Sequence, residues 1–328
     1  EREVLPQYLA RQRWYPGKQP PARARLAYAT PFTSAAGEYY WAEVEPEDGV
    51  TGLRAQAPFV LVWDETAAVQ YAIARVRRGA EVGVLADAFL QDGFVRGVVQ
   101  ALLEGRELDG RSGGKPGDKP GVIRFMAEDG LAAMDLAEDG ELQWLTGEQS
   151  NSSVIVDGKL ILKLVRAVQA GASPEVEMTR YLTRAGYANM PALLGEVQRE
   201  DADGVVHTLA VAHRYVANEG DAWSWTLDLL KRTLDNALLV NQNPDEFAQD
   251  LQGYAAMAAT MGERLAQMHN LLAQPSDDPA FQPRQASQAD ADARARHVQG
   301  LLESAEKDLR AQFGKLEAPS RACAEWYF

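Results

Sequence analysis

The chain is nearly without cysteine: Cys323 is the only one in 328 residues. That excludes an internal disulfide framework and any cysteine-based zinc site. No apolar run approaches the ~20 residues of a membrane-spanning helix. No apolar leader follows the charged opening "ERE". The expectation is a cytoplasmic protein with no membrane partner. Basic residues are also scarce, 33 Lys and Arg against 47 Asp and Glu, for a formal net charge of -14. A general nucleic-acid binder carries a basic face instead, so no nucleic-acid partner is expected. An initial methionine is missing and the last residues are "AEWYF". Both ends read as cuts in a longer protein.

Apolar residues are plentiful at 46%, enough for a sizeable core. The length suits roughly two domains of about 150 residues. Residues 1–90 read as a small α+β unit. A short helix in "EVLPQYLARQRWYPGK" stops at Pro16-Gly17. Strand-like pieces follow in "ARARLAYATPF", "EYYWAEVEPE", "APFVLVWDE" and "QYAIARV". Phe94, Val95, Val98 and Leu102 recur at helical spacing. The basic cluster Arg11, Arg13 and Lys18 reads as a structural loop.

"GRSGGKPGDKPG" resembles a phosphate-binding loop only superficially. Asp109 stands where the pattern needs glycine, and Pro116 stands where it needs Ser or Thr. Residues 122–216 then read as strand, strand, hairpin, helix, strand, strand. Asp157-Gly158 between apolar strands favours a type I′ turn. The helix in "SPEVEMTRYLTRAG" has Ser173 at its N-cap, Pro174 at N1 and Gly186 at C′. Its apolar stripe reads as Met178, Tyr181, Leu182 and Ala185. Residues 218–328 read as long helices. His269 falls on an apolar stripe of one of them, with Leu265, Met268 and Leu272, and reads as a packing residue.

Lys163 poses the sharpest question, because it interrupts the apolar strand "LILKLV". Burying an ammonium without a partner is expensive. It could sit on an edge strand open to water, bind phosphate, or pair with a carboxylate of the next helix. Glu175 and Glu177 flank that helix's apolar stripe, and either could reach it. The order of elements is that of a kinase N-lobe. There a strand lysine holds the α/β-phosphates and pairs with a helix glutamate, while the preceding loop covers the phosphates. That loop would be Glu148 to Ser153, "EQSNSS", whose hydroxyl and amide groups suit phosphate oxygens and also suit a plain turn.

Four blocks carry a resemblance: "LPQYLARQRWYPGK", "GEQSNSSVIVDGKLILKLVR", "SPEVEMTRYLTRAGYANMPALLGEV" and "YVANEGDAWSWTLDLL". Together they resemble the maltokinases, from the first residues to about Leu272. These kinases are often fused to trehalose synthase, which makes that enzyme a possible partner. The resemblance implies an α+β, bilobal kinase-like fold. A cap domain (1–90) and an antiparallel-sheet N-lobe with one helix (91–217) would precede an incomplete helical C-lobe (218–328). It implies ATP- and Mg²⁺-dependent conversion of maltose to maltose 1-phosphate. Lys163 would hold phosphates, and Glu175 would pair with it, with Glu177 as rival. Ser150, Asn151 and Ser152 would cover the phosphates. Arg214, Tyr215 and Val216 would form the hinge beside adenine. Asp221 could bind sugar hydroxyls, while Trp223 and Trp225 read as packing at the lobe junction or as sugar-stacking groups.

The family's H-G-D-x-H catalytic loop and its metal-binding acidic motif are missing. None of His207, His213, His269 and His297 is followed by Gly-Asp. The catalytic aspartate and the metal ligands are expected beyond Phe328, so this chain alone should be inactive. Another small-molecule kinase of the same superfamily remains open, as does a non-catalytic nucleotide-binding or docking module.

Overall fold

The computed structural model describes residues 3–15, 20–47, 54–63, 72–109, 121–145, 151–240 and 251–327. It divides into two compact units, 1–260 and 261–328. In chain order the first unit begins with α1 (Val4–Arg11) and six strands. These are β1 (Ala24–Ser34), β2 (Gly37–Pro46), β3 (Arg54–Gln56), β4 (Phe59–Val62), β5 (Ala72–Arg78) and β6 (Glu81–Asp87). Next come α2 (Asp92–Glu104), β7 (Glu107–Asp109), β8 (Val122–Ala127), α3 (Asp129–Ala132) and β9 (Leu142–Leu145). The hairpin strands β10 (Ser152–Val156) and β11 (Leu160–Leu164) precede β12 (Ala167–Val168), α4 (Pro174–Arg184), β13 (Leu193–Glu200) and β14 (Val206–Arg214). The remainder is helical: α5 (Ala222–Val240), α6 (Gln252–Leu272), α7 (Gln288–Gln312) and α8 (Ala318–Tyr327).

The fold is α+β, with two antiparallel sheets. The first runs β12-β3-β2-β4-β6-β5, with β1 also paired to β2. The second runs β7-β8-β13-β14-β11-β10-β9. The hairpin between β10 and β11 turns as its sequence demands: Asp157 (φ 52°) and Gly158 (φ 59°) are both left-handed, the requirement of a type I′ turn. Pro174 does open α4, although the Ser173 side chain makes no capping bond. At the other end Gly186 is left-handed at φ 76°. Its N–H donates to Thr183 O and that of Tyr187 to Leu182 O, a Schellman closure.

One apolar core joins both sheets through α2. Phe32 stacks on Phe125 at 5.7 Å and meets Phe94 edge-on at 5.5 Å, with Trp41 beside them. Leu160, Leu162 and Leu164 of β11 are buried in the same cluster. A smaller cluster packs α1, through Tyr8 and Leu9, on Val44 and Ala55. Polar links cross between the sheets as well. Arg199 of β13 grips Glu43 of β2 through two bonds, 2.6 and 2.9 Å, with side chains 3% and 0% exposed.

Several expectations are corrected. Among the described residues, α4 buries Val176 and Leu182, while Met178 is exposed: the helix leans on the sheet with its first turn. His269 is exposed on α6 rather than packed, and Leu265 beside it is exposed too. Trp223 is 73% exposed, whereas Trp225 stacks on Tyr254 at 6.1 Å. The short strands β3, β7 and β12 and the strand β6 were not foreseen, nor was α8. No described helix is long and apolar enough to cross a membrane.

Candidate functional site

The site grows from β11. This strand lies between β14 and β10, so Lys163 is not on a sheet edge. Strand alternation sends Leu160, Leu162 and Leu164 into the core. It leaves Ile161 and Lys163 half-buried on the other face. Across that face Lys163 stands opposite Ser153 on β10 and Val211 on β14.

Helix α4 leans over this face. Val176 packs with Leu193 and Val211, a third apolar cluster. Arg180 anchors the helix to Glu196 of β13 and, at 2.9 Å, to Glu128. Arg184 adds bonds to the same Glu128 carboxylate. The first turn is thereby placed so that Glu175 reaches Lys163. Nζ donates to Oε1 at 3.1 Å and to Oε2 at 3.2 Å. Glu177 is exposed and takes no part in this pair. The Lys163 and Glu175 side chains are 23% and 44% exposed, so the ammonium is held yet reachable. An ammonium carries three donors, and Glu175 occupies two, which suits a cation that also meets phosphate oxygens.

His213 adds a group that the sequence reading did not single out. It lies on β14 opposite Ile161, is buried, and its Nε2 has no hydrogen-bond partner among the described residues. Burial lowers its pKa. Glu175 pulls the other way, and Lys163 lowers it further, which places the ring in the field of the ion pair.

The expected phosphate-covering residues divide. Ser150 lies outside the described residues. Ser152 is the first residue of β10 rather than part of a loop. Its Oγ accepts from Arg166 Nε at 2.8 Å, and Asn151 Oδ1 accepts from the Arg166 N–H at 3.3 Å. At the expected hinge, the Arg214 N–H donates to Ala192 O and the Tyr215 N–H to Lys159 O. Val216 is exposed, and its carbonyl accepts from Asn218 Nδ2 at 3.1 Å. Asp221 caps α5: Oδ1 accepts from Ser224 N and Oδ2 from Ser224 Oγ, both at 2.8 Å. Those bonds hold its carboxyl below the usual range. Among the described residues, no group of His, Cys, Asp and Glu side chains gathers as a metal site.

No protein-family model matches the chain. Solved structures do. A glucosamine kinase in complex with glucosamine, ADP and inorganic phosphate aligns at 18% identity with TM-score 0.51. The alignment covers 98% of this chain and 61% of that one. Crystal form B of a glucosamine kinase aligns at 19% identity with TM-score 0.54, over 98% of this chain and 61% of the other. The chain thus spans less than two thirds of the length of these neighbours. Over that span it shares the kinase-like fold of the glucosamine kinases.

Proposed function

We propose that this chain is the nucleotide-holding part of an ATP-dependent sugar kinase. The observation that carries the reading is the Lys163–Glu175 pair on a central strand, half-exposed beneath the helix that supplies the glutamate. A strand lysine steadied in this way by a helix carboxylate is the arrangement that holds α/β-phosphates in kinases. Lys163 takes the phosphates and Glu175 orients it. Asn151 and Ser152 stand at the start of the strand facing Lys163's own. The backbone from Arg214 to Val216 lies at the adenine end. Mg²⁺ supplies charge neutralisation on the β- and γ-phosphates, and the proposal gives it no ligand among the described residues. The aspartate that orients the acceptor hydroxyl is likewise assigned to none of them.

The favoured acceptor is maltose and the product maltose 1-phosphate, a reading supported by the four maltokinase-like sequence blocks. A second acceptor, glucosamine, is favoured by the structural neighbours, one of which holds that sugar with ADP. The test is ³¹P NMR of the protein encoded by the full reading frame, incubated with MgATP and either sugar. A new anomeric sugar-phosphate signal with maltose is expected. A signal with glucosamine alone would move the assignment to that acceptor. Intact ATP with both, and with a wider sugar panel, would leave only the nucleotide-binding or docking module.

A further inference from the structure

Arg166 lies two residues past the end of the lysine strand and is 2% exposed. Such a burial needs partners for a charge and five donors. The structure supplies them from two directions. Toward the start of β10, Nε donates to Ser152 Oγ at 2.8 Å and the backbone N–H to Asn151 Oδ1 at 3.3 Å. Toward the first sheet, Nη2 donates to Asp87 Oδ2 of β6 at 2.7 Å and Nη1 to Gln56 O of β3 at 3.2 Å. The rings of Trp14 and Phe89 lie 5.6 and 5.7 Å from the guanidinium carbon.

These partners are themselves fixed. The Tyr8 phenol, whose pKa is pushed up by burial and by Asp87, stays protonated and donates to Asp87 Oδ2 at 3.1 Å. The Gln56 N–H donates to Arg166 O at 2.8 Å. The Gln56 side-chain amide donates to Val165 O and Leu209 O, both at 2.7 Å, and accepts from Trp41 Nε1 at 2.6 Å. The two residues after Arg166, forming β12, then pair with β3 itself.

We propose that Arg166 is a positioning residue through which the first sheet sets Asn151 and Ser152 at the start of β10. The proposal rests on the nucleotide reading above. Asn151 and Ser152 stand where β10 begins, and the arginine ties both to a buried frame built on Asp87, Gln56 and Tyr8. A structural arginine alone would explain the Asp87 ion pair. It would not require the same guanidinium and its own N–H to hold two successive side chains where β10 begins.

The test compares MgADP with adenosine, which has no phosphates, by titration calorimetry. The full chain is used as wild type, Arg166→Lys and Asp87→Asn, each below its own measured unfolding midpoint. Asp87 bonds Arg166, which in turn bonds Ser152 and Asn151, while its other bonds go to the Tyr8 hydroxyl and the Phe89 N–H. Both variants are expected to weaken MgADP at least threefold and to leave adenosine within twofold. Equal MgADP affinity in wild type and Asp87→Asn, or a parallel loss of adenosine, would overturn the positioning role. Should Arg166→Lys fail to fold, Asp87→Asn alone decides. Should wild type bind neither ligand, the nucleotide reading itself falls and takes this inference with it.

Discussion

Replacing Lys163 by Met should separate function from stability. The pair it makes with Glu175 is half-exposed, with side chains 23% and 44% accessible. Pairs of that kind contribute about 0–1 kcal/mol. Methionine, one atom shorter than lysine and also unbranched, lies beside Ile161 and Val211, so part of that small loss is offset by apolar burial. The expected change in unfolding free energy is within about 1 kcal/mol. A charge-assisted hydrogen bond to phosphate, by contrast, is worth about 1.5–3 kcal/mol. At 1.4 kcal/mol per decade, its loss weakens MgADP by about 10- to 150-fold. The assay is urea unfolding and titration calorimetry on the same preparations of wild type and Lys163→Met. A stability loss near 3 kcal/mol would show that the lysine is a structural member of the sheet. An unchanged MgADP affinity would refute its phosphate role.

The buried pair offers the opposite case. Among the described residues, Arg199→Met leaves the fully buried Glu43 with Arg54, 3.9 Å away, as its remaining ion-pair partner, and should cost about 3–5 kcal/mol in urea unfolding. The double change Arg199→Met with Glu43→Leu should recover most of that loss, and a double variant as unstable as the single would contradict the desolvation argument. Gly186→Ala forces a side chain into φ 76° at the end of α4 and should cost about 1–2 kcal/mol, read as a lower unfolding midpoint in urea. His213 has a folded-state pKa below its ordinary value of 6.5, chiefly through burial. The unfolded chain therefore binds the extra proton first. Stability is full above about pH 6.5 and falls as the pH drops below that, by at most about 1.4 kcal/mol per pH unit. His213→Leu should flatten this part of the pH–stability curve, and an unaltered slope would assign the dependence elsewhere.

Much of the site was legible because its determinants are local. Asp157-Gly158 requires left-handed φ at two successive residues, which places the hairpin and so the register of Lys163. Pro174 and Gly186 bracket α4, which brings a first-turn glutamate near the strand. The choice between Glu175 and Glu177 was not legible, because it depends on how the helix leans. Val176 meets Leu193 and Val211, and that contact turns Glu175 toward the lysine. The apolar stripe misled at Met178, which stays exposed. Residues that work over long separations left no pattern at all. Gln56 and Leu209 bond across 153 positions, and Arg199 and Glu43 across 156. Strand β12 has two residues and finds its partner far back in the chain, at Arg54 and Ala55. Periodicity encodes which face is buried, not which distant polar groups will meet there.

The most direct measurement is a crystal structure of the chain with MgADP bound. The phosphate-holding role predicts Lys163 Nζ about 3 Å from an α- or β-phosphate oxygen while still bonded to Glu175. The adenine ring should then lie against the backbone of residues 214–216. A nucleotide bound elsewhere, or one at this face with Lys163 turned away from every phosphate oxygen, would contradict it.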